Sequence, residues 1–157
     1  MNDMRSAQLG LPLEPLAALG REDFITAPGN AAAVGFIDAY PNWPAPAAAL
    51  YGPPASGKTH LVRIWAARSG ARIVEASALD AEILAGGGAL AVENVDGGAP
   101  KAMVDESIVF ALLERGTPLL LTGREPPDAW PARLPDLASR TRALLAFGLW
   151  APDDALL

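Results

Sequence analysis

The chain of 157 residues contains no cysteine and a single histidine, His60. Disulfide bonds and thiolate metal sites are therefore excluded, and a zinc site built from histidines is not expected. No stretch approaches the ~20 consecutive apolar residues that a membrane-spanning helix needs, and the opening MNDMRSAQ lacks the apolar run of a signal peptide. We therefore expect a cytoplasmic protein that does not bind a membrane.

Basic residues are also in the minority, because 12 Lys and Arg face 18 Asp and Glu and give a net charge of −6. This balance argues against a protein that holds nucleic acid through its overall field, so direct sequence-specific DNA binding is not expected. Apolar residues make up 51% of the chain, which is enough for a core, and the length suits one domain.

Apolar runs alternate with amphipathic segments along the chain, which predicts an α/β fold. Helical spacing is clearest in GKTHLVRIWAARSG, where Leu61, Ile64 and Trp65 share one face and Gly70 ends the helix. Strands alternating with helices indicate a parallel sheet covered on both faces. The five predicted strands lie in PAAALYG, ARIVEAS, ALAVENVD, PLLLTG and LLAFGLW.

Capping residues predict several helix ends. Asn30 is the expected N-cap of a helix that stops before Pro41, and Ser77 or Asp80 is expected to cap a shorter one. Three acidic residues of a later helix are interpreted as a solvated face: Asp105, Glu106 and Glu114.

The segment GPPASGKT matches the phosphate-binding pattern G-x-x-x-x-G-K-[ST] without a mismatch. A predicted strand precedes it and a predicted helix follows, which disfavours a chance glycine-rich turn. Backbone N–H groups of such a loop and the helix N-terminus bind phosphate oxygens. We expect Lys58 to contact the β- and γ-phosphates and the Thr59 hydroxyl to bind Mg²⁺. The predicted nucleotide-binding residues of this segment are Gly52, Pro53, Pro54, Ala55, Ser56, Gly57, Lys58, Thr59 and His60, the last with a helix-surface position as the alternative.

A carboxylate is expected as a second ligand of the metal, at the end of the strand in ALAVENVD. Glu93 follows the apolar residues there, so Thr59 and Glu93 are the predicted magnesium ligands, with Lys58 and Glu93 assigned to catalysis. Asn94 follows where hydrolytic enzymes often place a glutamate, and an amide cannot accept a proton. Asp96 could compensate, although a loop-turn role is the alternative. Slow intrinsic hydrolysis is therefore predicted.

Two further strand or helix ends carry candidate residues. Thr122 or Arg124, at the end of PLLLTG, could face the γ-phosphate, or either could have a capping or surface role. Arg140, near the end of the helix in LPDLASRTRA, could reach the nucleotide of a neighbouring subunit. Arg142 could substitute for it, or could form an exposed salt bridge.

Together these segments resemble the AAA+ ATPases of the DnaA group, and within it the Hda family of DnaA-related regulators. GPPASGKTHL is similar to Walker A, LAVENVD to Walker B, LLLTGREPP to the sensor 1 region, and LPDLASR to the box that ends in the arginine finger, here Arg140. REDFITAPGNAAAVGFI resembles the segment that cups adenine, with Phe24 and Ile25 at its apolar contact positions. The resemblance implies a P-loop NTPase three-layer sandwich with a five-stranded parallel sheet, and a homo-oligomer.

The family also gives a meaning to QLGLPL near the start of the chain. This stretch is similar to the motif with which Hda-type proteins bind the DNA polymerase sliding clamp. An extended peptide would insert its leucines into an apolar pocket, with a glutamine at the edge and a proline that lowers the ordering cost. An arm that folds back on its own domain is the alternative. The predicted partner-binding residues are Gln8, Leu9, Leu11, Pro12 and Leu13.

The implied organisation is an arm over residues 1–22, an AAA+ domain over 23–150, and the start of a truncated lid over 151–157. The implied function is regulation of replication initiation, in which the protein binds ADP or ATP with Mg²⁺, docks on the clamp and stimulates ATP hydrolysis by DnaA through Arg140. A self-assembling ATPase that remodels another partner and a DnaA-like initiator fragment are the alternatives, whereas a small-molecule kinase is disfavoured by LPDLASR. Arg124 departs from the family, because many relatives carry an acidic residue there.

Overall fold

The structure, a computed structural model, describes residues 20–98 and 102–150. The elements follow the predicted alternation of strands and helices. The helices are α1 (Ala31–Ala39), α2 (Lys58–Ser69), α3 (Ala81–Ala85), α4 (Glu106–Arg115) and α5 (Pro135–Arg142). The strands are β1 (Ala47–Tyr51), β2 (Arg72–Glu75), β3 (Leu90–Glu93), β4 (Leu119–Gly123) and β5 (Leu145–Gly148).

All five strands form one parallel sheet in the order β2-β3-β4-β1-β5. Side chains of β4 alternate between two cores, because successive residues of a strand point to opposite faces. Leu119 and Leu121 pack with α4 and α5, whereas Leu120 packs with α1 and α2. Helices therefore cover both faces of the sheet, and the predicted three-layer α/β sandwich is confirmed.

The predicted N-cap residues can be compared with the hydrogen bonds observed at the helix ends. Asp80 caps α3, because its Oδ1 accepts a hydrogen bond from the Ile83 backbone at 2.8 Å. Asn30 lies at the N-cap position of α1, but its Oδ1 accepts from the Ala27 backbone at 2.8 Å and no side-chain cap bond forms. The predicted N-cap position is therefore confirmed, but the side chain binds the preceding turn instead of the helix N–H groups.

Asp105 and Glu106 lie at least partly exposed, as a solvated face predicts, but both also have specific hydrogen-bond partners. Asp105 is the N-cap of α4, and its Oδ1 accepts from two backbone N–H groups of the first turn at 3.1 and 3.3 Å. The Glu106 carboxylate accepts from the backbone of Arg133 at 2.8 Å and of Leu134 at 3.0 Å. Both carboxylates bind helix or loop N–H groups that would otherwise lack a partner.

The beginning of the described chain packs against α1. Arg21 lies in a single 3-10 turn over Arg21–Asp23, and its guanidinium donates to both Asp38 carboxylate oxygens at 2.8 Å. Residues 20–22 of the predicted arm are thus described, and residues 21 and 22 lie in this turn instead of an extended segment. Residues 1–19 of the arm, and residues 151–157 of the predicted lid, lie outside the described residues. Within the described ranges, no helix has the length and apolar character needed to cross a membrane.

Candidate nucleotide-binding site

The candidate site lies at the edge of the sheet where the parallel strands end. The loop after β1, the end of β3 and the end of β4 meet there and enclose a pocket of about 370 Å³. Parallel strands present their carboxyl ends on one edge, which explains why residues so distant in sequence converge. The lining residues are Pro54, Ala55, Gly57, Lys58, Thr59, His60, Glu93, Asn94, Thr122 and Arg124.

The loop between β1 and α2 has a tightly curled backbone. Gly52 has a φ of +156°, and a Cβ at this position would lie 2.2 Å from the Leu149 carbonyl oxygen. Ala55 has a φ of +62° and Gly57 a φ of +106°. Because α2 begins directly after Gly57, the N–H groups of its first turn lie at the pocket, where they can bind an anion.

Lys58 folds its side chain into this loop. Its Nζ donates hydrogen bonds to the carbonyl oxygens of Gly52 at 2.6 Å and Pro53 at 3.0 Å. Burial lowers the pKa of Lys58, and the positive charge of Arg124 lowers it further, against the opposing effect of Asp96 and Glu93. A phosphate group bound beside Nζ would favour the charged ammonium.

Thr59 and Glu93 bring two oxygen donors of the kind that bind magnesium close together. The Thr59 hydroxyl donates to Glu93 Oε1 at 3.0 Å, which places a hydroxyl and a carboxylate together at the rim of the pocket. Mg²⁺ prefers oxygen ligands and is often held by one or two protein groups together with substrate phosphates. The donor set of these two residues therefore fits Mg²⁺.

Asn94 contacts a residue that the sequence analysis missed. Its Nδ2 donates to both carboxylate oxygens of Glu75, at 2.9 and 3.2 Å, and its backbone N–H donates to Thr122 Oγ1 at 3.1 Å. Glu75 ends β2 and is paired in register with Glu93 of β3. The sequence offered one indication of this role, namely that Glu75 is a polar residue at the end of a predicted strand.

The Asp96 carboxylate accepts hydrogen bonds from the backbone, and Asp96 does not line the pocket. Its Oδ2 accepts from the N–H groups of Arg124 at 2.7 Å and Glu125 at 3.3 Å. Asp96 thereby connects the loop after β3 with the loop after β4. This contact matches the loop-turn alternative for Asp96.

Phe24 and Ile25 occupy different environments. The Phe24 ring lies 4.9 Å from the His60 ring in an edge-on arrangement and would be 3.3 Å from a Cβ on Gly57. The Ile25 side chain is 81% exposed, and neither residue lines the pocket. An adenine-contacting role for these residues stays a prediction.

Arg140 lies on the face of the domain formed by α4 and α5, and it does not line the pocket. Its Nη2 donates to the Leu113 carbonyl oxygen at 2.8 Å, and its Nη1 forms an ion pair with Glu114. Leu113 lies near the end of α4, where carbonyl groups lack a partner within the helix. The predicted clamp-binding residues 8–13 lie outside the described residues.

Similarity to solved structures is found with DnaA proteins. Domain III of DnaA from Thermotoga maritima gives a TM-score of 0.64 at 18% identity, over 87% of this chain and 69% of that chain. AMPPCP-bound DnaA from Aquifex aeolicus gives 0.64 at 18% identity, over 84% of this chain and 50% of that one. The chain therefore shares the parallel α/β fold of these DnaA structures. No protein-family model and no curated protein sequence matches the chain.

The chain spans about half the length of two of the replication-initiation structures that it matches, 48% of one and 50% of the other. Another DnaA structure, bound to AMPPCP and single-stranded DNA, gives a TM-score of 0.63 at 18% identity over 88% of this chain and 51% of that chain. The similarity therefore does not support the expectation that direct sequence-specific DNA binding is absent. It also does not distinguish the Hda family from other proteins with this fold.

Proposed function

We propose that this domain binds ADP or ATP with Mg²⁺ at the edge formed by the P-loop (residues 52–59), β3 and β4. The observation that carries the proposal is the Thr59–Glu93 contact of 3.0 Å beside the curled loop that holds Lys58. Phosphate oxygens would bind the N–H groups at the start of α2 and the Lys58 ammonium, and the metal would bind Thr59 and Glu93. Two of the similar DnaA structures contain AMPPCP, which supports a nucleotide as the ligand.

Hydrolysis by the isolated domain is proposed to be slow. Asn94 occupies the position after Glu93, and its amide cannot take a proton from water. Asp96 is engaged with the backbone of Arg124 and Glu125, so its carboxylate is not directed at the pocket centre. The domain is therefore better suited to bind and sense a nucleotide than to turn it over rapidly.

We further propose that the protein is a cytoplasmic, homo-oligomeric regulator of replication initiation, with DnaA and the sliding clamp as partners. The DnaA-type fold, the LPDLASR segment and the QLGLPL segment support this assignment. Arg140 would complete the active site of ATP-bound DnaA, and the segment from Gln8 to Leu13 would bind the clamp. To act in this way, Arg140 must exchange its contacts with Leu113 and Glu114 for the partner's nucleotide.

Nucleotide binding is tested by titrating the protein with a fluorescent ADP analogue, with and without Mg²⁺. Lys58→Ala should weaken binding by at least about tenfold, because it removes the half-buried ammonium that would bind the phosphates. Glu93→Gln should reduce the benefit of Mg²⁺ while leaving metal-independent binding intact. Arg63→Ala, at an exposed position of α2, is the matched control. Wild-type affinity in Lys58→Ala would contradict the proposed site.

Regulation of the initiator is tested by mixing the protein with ATP-bound DnaA and clamp-loaded DNA. Arg140→Ala should abolish stimulation of DnaA hydrolysis, whereas Arg133→Ala, at an exposed arginine near the start of α5, should retain it. Gln8→Ala and Leu11→Ala/Leu13→Ala should abolish clamp binding, with Leu16→Ala as the control. Full stimulation by Arg140→Ala would show that the assigned role is wrong.

A DnaA-like initiator fragment is the second candidate, because a DnaA structure with the same fold contains single-stranded DNA. This candidate predicts ATP-dependent binding of a single-stranded oligonucleotide without clamp or DnaA. A self-assembling ATPase instead predicts fast steady-state turnover of the purified protein. Fluorescence anisotropy with an oligonucleotide and a turnover assay therefore separate the three functions.

A further inference from the structure

We infer that Glu75 is a positioning residue of the nucleotide site, which orients the Asn94 amide so that its Oδ1 faces the terminal phosphate of bound ATP. The inference rests on the proposed function of this edge as an ATP-binding site. It adds a residue from β2, a strand that contributes no residue to the P-loop or to the metal ligands.

The contact between the two side chains determines which amide atom faces which way. An ionised carboxylate can only accept hydrogen bonds, so the amide atom next to Glu75 is the donor Nδ2. Nδ2 contacts both Glu75 oxygens, at 2.9 and 3.2 Å. Because the carboxamide is planar, Oδ1 then points away from Glu75, and Asn94 itself lines the pocket.

The backbone around Asn94 fixes this arrangement further. Asn94 has a φ of +61°, a left-handed conformation in which asparagine is tolerated better than most residues. Its N–H donates to Thr122 Oγ1 at 3.1 Å, and its carbonyl oxygen accepts from the Gly97 backbone at 2.9 Å. In the described part of the chain no donor to Asn94 Oδ1 is found, so this acceptor remains available to a ligand or a water.

An oriented amide oxygen can hold a water molecule but cannot deprotonate it. In hydrolysis, the water oxygen bonds to the γ-phosphorus while the bond from that phosphorus to the β–γ bridging oxygen breaks. The electron pair of the broken bond stays on ADP, and the water proton ends on a phosphate oxygen. Asn94 Oδ1 would accept a hydrogen bond from the attacking water and align it for this displacement. If the amide were flipped, Nδ2 would face the pocket and could not accept that bond.

The first test measures single-turnover ATP hydrolysis and nucleotide affinity for Glu75 variants. Glu75→Ala should lower the hydrolysis rate about tenfold at unchanged affinity, within the ~10²-fold that a misplaced group can cost. Glu75→Gln should retain most of the rate, because its amide oxygen still accepts from Nδ2. Glu82→Ala removes an exposed carboxylate of α3 and is the matched control.

The second test exchanges the two functional groups. Glu75→Gln/Asn94→Asp places a carboxylate at position 94 and an amide donor beside it, so the carboxylate can act on the water. Turnover should then exceed the wild-type rate by at least about tenfold, since a general base contributes ~10²–10⁴-fold. Asn94→Asp alone leaves two carboxylates in contact and should give a smaller gain, because neither has a donor partner.

These outcomes separate the inference from the proposed function. If the wild-type protein binds no nucleotide, the proposed function fails. If it binds ATP but hydrolyses it no faster than buffer does, or if Glu75→Ala matches Glu82→Ala in rate, Glu75 is not a positioning residue. A double variant no faster than Asn94→Asp alone would also overturn the inference.

Discussion

The P-loop edge of the sheet and the α4–α5 face use charged side chains in different ways. At the edge, the Lys58 ammonium binds a carbonyl oxygen of its own loop, and the Thr59 hydroxyl binds the Glu93 carboxylate. All three residues also line the pocket. On the α4–α5 face, the Arg140 guanidinium binds the Leu113 carbonyl and Glu114 of the same domain. The side chains at the edge therefore line an open pocket, whereas the guanidinium on the α4–α5 face forms its contacts within the domain.

This difference separates two kinds of candidate residue. A ligand at the P-loop edge would replace the hydrogen bonds of Lys58 to its own loop and of Thr59 to Glu93, none of which joins two helices. Arg140, by contrast, must lose two intramolecular contacts before it can bind a phosphate on another molecule. The contacts of Arg140 thus oppose its proposed role in trans, and a partner must provide equal or stronger contacts.

Replacing a glycine should give the largest difference between the two regions. Gly52→Ala should lower the free energy of unfolding by about 3 kcal/mol or more, because its Cβ would lie 2.2 Å from the Leu149 carbonyl. Gly116→Ala, at the end of α4, should cost only about 1–2 kcal/mol, because its φ is +77° and the surrounding space is open. Urea unfolding measures both, and equal losses would show that the P-loop backbone can relax.

Loss of Arg140 should have an intermediate effect on stability. Arg140→Ala should lower the free energy of unfolding by about 1 kcal/mol, because the Leu113 carbonyl loses a charged donor. Glu114→Ala should cost about 0.5 kcal/mol or less, since its ion pair with Arg140 is partly exposed. A loss above about 3 kcal/mol for Glu114→Ala would show that the α4–α5 face depends on this pair for its packing.

The smallest effect is expected where Arg21 holds the start of the domain against α1. The Arg21 hydrogen bond lowers the pKa of Asp38, so this contribution to stability is present above the ordinary pKa of ~3.9. It is lost as the pH falls through the lowered pKa, when Asp38 takes up a proton.

Asp38→Asn should therefore reduce stability by less than about 1 kcal/mol at neutral pH, and the difference from wild type should vanish in acid. Thermal unfolding over a pH series measures this effect, with Asp128→Asn at an exposed carboxylate as the control. A difference that grows as the pH falls would contradict the assigned pair.

The meeting of Lys58, Thr59 and Glu93 at one edge of the sheet could be predicted from the sequence because its determinants are local. The glycines, Lys58 and Thr59 lie in one short segment, and Glu93 follows its apolar strand directly. Once the strands are parallel, their carboxyl ends must meet, so the convergence of these residues follows from the topology.

The residues that the sequence analysis missed or misinterpreted make contacts that no local pattern reveals. Glu75 binds Asn94 across 19 positions, and Glu106 binds the Arg133 backbone across 27. An exposed acidic residue on a helix and one that holds a distant loop have the same sequence spacing. Asn30 shows a different limit, because two backbone segments compete for one side chain and capping preference does not rank them.

The loops after β3 and β4 are joined by more than strand pairing. Val95 donates from its backbone to the Thr122 carbonyl at 2.8 Å, and Asp96 accepts from the backbone of Arg124 and Glu125. These hydrogen bonds link the two loops, which form two sides of the pocket. A displacement of one loop must therefore either move the other loop or break the bonds between them. Amide protons of Arg124 and Glu125 would then report by hydrogen exchange on events at Glu93 and Asn94, across the full width of the pocket.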